Sequence, residues 1–84
     1  MICAIYKSLK KADTYLFMQP AQEFSQLPQA LLAMLGKLEF VMHVDLDKRE
    51  KLALSDVRQV KTALREQGYY LQLPPKAYSS GAAQ

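Results

Sequence analysis

Two residues able to do chemistry occur once each in the 84-residue chain, Cys3 and His43. A cysteine or serine nucleophile needs a base and a group that orients the base, so Cys3 and His43 form the sole Cys/His pair available. Both lie in segments that read as strands, and they meet only if those strands are neighbours. A strand cysteine otherwise behaves as a small inert hydrophobe, and that is the expected role of Cys3. A sharper arrangement is Glu39, His43, Asp45 and Asp47. Strand alternation puts all four on one side if the strand stays regular, an oxygen-rich group with one imidazole. His43, Asp45 and Asp47 are then candidate ligands for a divalent cation. Same-side strand residues sit about 6.5–7 Å apart, too far for one ion to be gripped by all of them without a bend in the chain. A solvated strand end running into a turn explains the same residues. The expectation is therefore no cofactor, no metal and no catalytic residue. Gly36, Gly68 and Gly81 stand alone, which removes a glycine-rich phosphate loop.

Binding chemistry is better represented. Lys7, Lys10 and Lys11 form one basic group, Lys48, Arg49 and Lys51 a second, and Arg58, Lys61 and Arg65 a third. Tyr6, Tyr15, Tyr69 and Tyr70 would add stacking surface for single-stranded RNA if they lay exposed on a sheet. Against this, Asp13, Asp47, Glu50 and Glu66 interrupt the basic groups, and the net charge is a modest +3. Lysines that solubilise loops and tyrosines that hold their hydroxyls at a rim account for the same pattern. The residues to test for binding are Lys10, Lys11, Arg58, Lys61, Arg65 and Tyr70.

The elements that must position these residues follow from periodicity. Residues 2–6 and 14–18 are apolar almost throughout and rich in β-branched and aromatic types, as in strands covered on both faces. The polar stretch between them suits a hairpin connection. Residues 21–26 form a connector with room for a helical turn. Pro28 suits the first helical position, Leu31, Leu32 and Leu35 follow helical spacing, and Gly36 ends the helix. Leu38, Phe40, Met42, Val44 and Leu46 alternate with polar or mixed residues, predicting a third strand with one core face. Residues 47–51 read as a charged loop. Ser55 is the expected N-cap, with Asp56 meeting the positive end of a helix dipole. The second helix should run from about 56 to 67. In it Val57, Val60, Ala63 and Leu64 share one arc, and Arg58, Lys61 and Arg65 a narrow arc beside it.

Gly68 closes that helix, Tyr69 to Leu73 follow as a fourth strand, and Pro74-Pro75 stops the pairing. The order is β-β-α-β-α-β. Because the first hairpin is apolar on both faces, one helical layer cannot cover it, and helices are expected on both faces of a four-stranded sheet. Residues 1–76 should be one domain and 77–84 a flexible tail with too little apolar content to pack. A domain this small has little room for an internal cavity. The lone cysteine excludes an internal disulfide and suits a reducing compartment. The apolar start lacks a preceding basic segment, and the longest apolar run, residues 30–35, is far short of a bilayer span. A cytoplasmic protein with no membrane association is expected.

The run Gln67-Gly68-Tyr69-Tyr70-Leu71-Gln72-Leu73-Pro74-Pro75, with Met1-Ile2-Cys3-Ala4-Ile5-Tyr6-Lys7-Ser8 and Thr14-Tyr15-Leu16-Phe17, resembles the YcgL domain family of small gamma-proteobacterial proteins. The resemblance covers residues 1–75 and implies an α/β/α sandwich. The family has no established biochemical activity, so the resemblance implies a fold and not a function. The functional expectation is a non-enzymatic binding module with a protein partner. A weak RNA accessory using the basic flank of the second helix is the alternative, and a metal-dependent hydrolase at His43, Asp45 and Asp47 a more distant one.

Overall fold

The computed structural model describes residues 1–48, 52 and 55–74. Arg49, Lys51, Pro75 and the expected tail at 77–84 lie outside the described residues, as does the expected domain boundary at 76. In chain order the elements are β1 (Ile2–Ser8), β2 (Tyr15–Met18), a 3-10 turn (Phe24–Gln26), α1 (Gln29–Leu35), β3 (Leu38–Asp45), a second 3-10 turn (Leu46–Lys48), α2 (Val57–Glu66) and β4 (Tyr69–Gln72). The four strands make one antiparallel sheet in the order β3-β1-β2-β4.

β1 and β2 are the inner strands, which is why their sequences are apolar on both faces. Cys3 and Ile5 of β1, Phe17 of β2 and Val44 of β3 face α2 and pack with its Val57, Val60 and Leu64. Leu16 and Met18 point the other way and pack with Leu27 and with Leu35 of α1. The helices therefore cover opposite faces, as the two-sided hairpin requires. The edge strand β4 contributes to both layers, with Tyr69 and Leu71 on the α1 side and Tyr70 on the α2 side.

Local chemistry accounts for the element ends. Ser8 is buried and its hydroxyl is used three times: Oγ donates to the Leu35 carbonyl at 2.6 Å and accepts from the Lys11 and Lys10 amides at 2.9 and 3.2 Å. One side chain thus joins the end of β1, the hairpin turn and the C-terminus of α1, whose last carbonyls lack intrahelical partners. Gly36 follows at φ 66°, where an added Cβ would stand 2.9 Å from Lys10 Cβ. Gly68 closes α2 at φ 89°, a backbone region that side chains disfavour.

Several boundaries differ from expectation. β1 runs on to Ser8 because Lys7 pairs with Glu39 and Ser8 with Leu38 on the neighbouring strand, partners that its own sequence does not announce. Pro28 is the N-cap of α1 rather than its first helical residue. Asp56, not Ser55, caps α2: its carboxylate accepts the Arg58 amide at 2.8 Å, while Ser55 Oγ donates instead to Gln72 Oε1 at 2.7 Å. The start of the expected charged loop is the second 3-10 turn, with Leu46 buried beneath it.

Candidate functional site

The decisive irregularity is in β3. Its register with β1 pairs Ile5 with Met42 but Tyr6 with Phe40, so Val41 is an extra residue opposite that junction. A bulge of this kind changes which side chains share a face. Glu39 pairs with Lys7 and lies on the α2 side, its carboxylate 3.8 Å from Lys7 Nζ. His43 pairs with Ala4 and Asp45 with Ile2, both on the opposite side. The expected one-sided row of Glu39, His43, Asp45 and Asp47 is thus broken, because a regular strand was its premise. Among the described residues, no group of three or more His, Cys, Asp or Glu side chains is placed to hold a metal ion.

Cys3 and His43 fare similarly. β1 and β3 are neighbours, but Cys3 is opposite Val44 and fully buried under α2, whereas His43 is on the other face. Burial raises the Cys3 thiol pKa above its ordinary value, with the nearby N-terminal ammonium a smaller opposing influence. A buried neutral thiol without a base is a packing group. Asp47 is drawn elsewhere as well. Its carboxylate accepts from Lys61 Nζ at 2.6 Å and contacts the Met1 ammonium, and these two hydrogen-bonded cations lower its pKa to about 2.

The basic candidates do not converge. Lys10 and Lys11 are exposed on the hairpin turn, where the stem of Lys10 packs on Gly36 and its ammonium reaches the Ala33 carbonyl at 3.4 Å, on the α1 side. Arg58, Lys61 and Arg65 are on α2, against the opposite face of the sheet. Lys61 is committed to Asp47, leaving Arg58 and Arg65 exposed. The groove beside them along α2 is lined by both signs of charge, Asp56 and Glu66 with Arg58. Tyr70, the aromatic binding candidate, is half-buried beneath α2 with its ring 5.8 Å from Phe17, edge to face.

What the structure does assemble is an aromatic surface on the α1 side, over β1 and the edge strand β3. Tyr6 meets Phe24 edge to face at 5.0 Å and Phe40 at 5.6 Å, and Phe40 lies 5.0 Å from the His43 ring. Phe24 and Phe40 are 39% and 50% exposed, and Ile2, at 51%, continues the same row of β1 beyond Ala4. Val41, 45% exposed at the bulge, adds apolar surface on the free edge of β3, whereas Met42 pairs with Ile5 on the α2 side. No lysine or arginine occurs among the residues that β1 and β3 contribute to this face: Ile2, Ala4, Tyr6, Ser8, Leu38, Phe40, His43 and Asp45. This surface was not legible in the sequence because strict alternation assigns Phe40 to the core face. The signal was the run Phe40-Val41-Met42, three consecutive apolar residues that strict alternation does not explain.

A sheet of four antiparallel strands between two short helices defines a small α+β domain. The family profile of the YcgL domain matches residues 3–75. YcgL domain-containing proteins of Shewanella piezotolerans and Shewanella loihica are 52% and 53% identical over 75 residues, covering 89% of this chain and 81% of each relative. One from Shewanella pealeana is 48% identical over the same span. The chain belongs to the YcgL domain family.

Proposed function

We propose that this domain is a non-catalytic binding module that docks an apolar segment of a protein partner on the Tyr6–Phe24–Phe40–His43 surface. The single observation that carries the reading is the contiguity of the exposed Phe24, Phe40 and His43 rings around the half-buried Tyr6, on a face whose strands supply no lysine or arginine. Exposed aromatic rings are the side chains on which protein interfaces concentrate their affinity. A nucleic-acid surface would need cations beside the rings to neutralise phosphates. The α2 side has cations in Arg58 and Arg65, but the groove that Arg58 lines also holds Asp56 and Glu66 and, among the described residues, no aromatic side chain.

The test is affinity capture from a Shewanella lysate with the wild-type chain, a Phe40→Ser variant and an Arg58→Glu/Arg65→Glu variant. Each is run with and without nuclease at low and high salt. A specific protein retained in high salt after nuclease, lost with Phe40→Ser and kept by the charge-reversal variant, is the expected result. Retention that needs Arg58 and Arg65 and disappears on nuclease treatment would move the function to RNA. No helix among the described residues is long and apolar enough to cross a membrane; a cytoplasmic location is part of the proposal.

A further inference from the structure

The two edges of the sheet are protected differently. β4 is four residues long, and Pro74, which lacks a backbone donor, follows shortly after it. β3 is eight residues long and has no lysine, arginine or proline between Leu38 and Asp45, the residue types that commonly keep an edge from pairing. Its middle is open on both faces: Glu39 to His43 are five consecutive exposed residues, three of them the apolar Phe40, Val41 and Met42. Phe40 is on the α1 side, Met42 on the α2 side, and Val41 is the extra residue between them. A segment laid on either face reaches only part of this apolar run. A strand laid along the edge reaches all of it, and meets the outward backbone groups as well.

We infer that this edge is a self-association surface whose occupant is β3 of a second copy of the chain, antiparallel about a two-fold axis at Met42. Counted outward from that axis, Met42 meets Met42, Phe40 meets His43, Glu39 meets Val44 and Leu38 meets Asp45 of the second copy. Each pair shares one side of the sheet, because Val41 is the extra residue in both strands and drops out of the ladder. The bulge that broke the alternation of β3 is thus what makes the strand match itself. Two exposed methionines cover each other at the axis, and Phe40, whose ring is 5.0 Å from its own His43, gains the imidazole of the second copy. The charges at the strand ends select the direction. Exposed Lys37 stands immediately before β3 and Asp45 ends it, so antiparallel pairing brings the basic start of each strand to the acidic end of the other. Parallel pairing sets like charges together. The contact joins two four-stranded sheets into one and leaves the faces over Tyr6 and Phe24 open, so it is separate from the docking surface proposed above.

Sedimentation of the full chain at low salt tests this, over about 10 µM to about 1 mM, where an interface at the small end of the specific sizes dissociates. The mean mass should rise from the 9.5 kDa of one chain toward twice that value. Because the axis residue meets its own copy, Met42→Lys and Met42→Glu should each remain a monomer, while an equimolar mixture of the two dimerises. Circular dichroism checks that each variant is folded. Independently, Met42→Cys should form a covalent dimer under mild oxidation, well above the yield from Gln59→Cys on α2, since the native Cys3 is buried. A wild-type chain that stays monomeric throughout would overturn the inference, as would Met42→Cys cross-linking no better than Gln59→Cys. So would dimers that survive in both charged variants, which would place the contact elsewhere. None of these results bears on the docking surface, which needs one copy and is read from partner retention by Phe40→Ser.

Discussion

Replacing Ser8 with alanine removes a hydroxyl that satisfies three backbone groups at once, the Leu35 carbonyl and the Lys10 and Lys11 amides. The two amides belong to exposed residues of the hairpin turn and can turn to water. The Leu35 carbonyl belongs to a residue with 0% exposure, and Ser8 itself is 4% exposed. Leaving a buried acceptor unpaired costs about 1–3 kcal/mol, and losing two rehydratable bonds adds about 0.5–1 kcal/mol in all. A total of about 1.5–4 kcal/mol is a large share of the roughly 5–10 kcal/mol expected for so small a domain. It corresponds to a fall in melting temperature on the order of 10 °C. Urea unfolding followed by circular dichroism, with Lys11→Ala as a near-neutral control, measures it. A midpoint unchanged within error for Ser8→Ala would refute the claim that this hydroxyl joins hairpin, strand and helix.

Other substitutions probe the two layers and their junctions. Leu64→Ala under α2 and Leu35→Ala under α1 should each cost about 2–4 kcal/mol in urea unfolding, since both side chains are almost fully buried. Gly68→Ala combines a positive φ with a Cβ 2.8 Å from Gln22 Oε1 and should lose about 1–2 kcal/mol; adding Gln22→Ala should recover the steric part alone. Asp56→Ala should cost about 1 kcal/mol by removing the N-cap, and more than Ser55→Ala if the cap is where it is placed. The Asp47 carboxylate titrates near 2 against an ordinary 3.8, so its stabilising contribution is complete above about pH 4 and is lost as pH falls toward 2. Asp47→Asn should flatten that part of the acid stability curve, as read from melting temperatures between pH 2 and 5.

The element order and two-sided burial were legible because they rest on strong local signals. The doubly apolar β1 and β2, the glycines at 36 and 68 and the arc of Val57, Val60 and Leu64 each point to one structure. Their agreement fixes the layers. The site was not legible, and the reason is one residue. Strict alternation through β3 puts Glu39 with His43 and Phe40 with Met42. The bulge at Val41 separates both pairs, moving Phe40 beside Tyr6 and ending the acidic row that suggested a metal. Bulges depend on the neighbouring strand, here on the step from Ile5 to Tyr6, and periodicity within β3 carries no trace of that partner. The choice between Ser55 and Asp56 as cap had a similar origin. Both residues suit the position, and Gln72, distant in sequence, takes the Ser55 hydroxyl.

The central claim is that the exposed rings bind a protein, and the most direct measurement is partner retention by Phe40→Ser. Phe40 is half exposed on an edge strand, so the variant should keep its circular dichroism spectrum and melt within a few degrees of wild type. The account predicts that a partner captured by wild type in high salt after nuclease is lost by this folded variant and retained by Arg58→Glu/Arg65→Glu. Undiminished capture by folded Phe40→Ser, with loss in the charge-reversal variant, would contradict it.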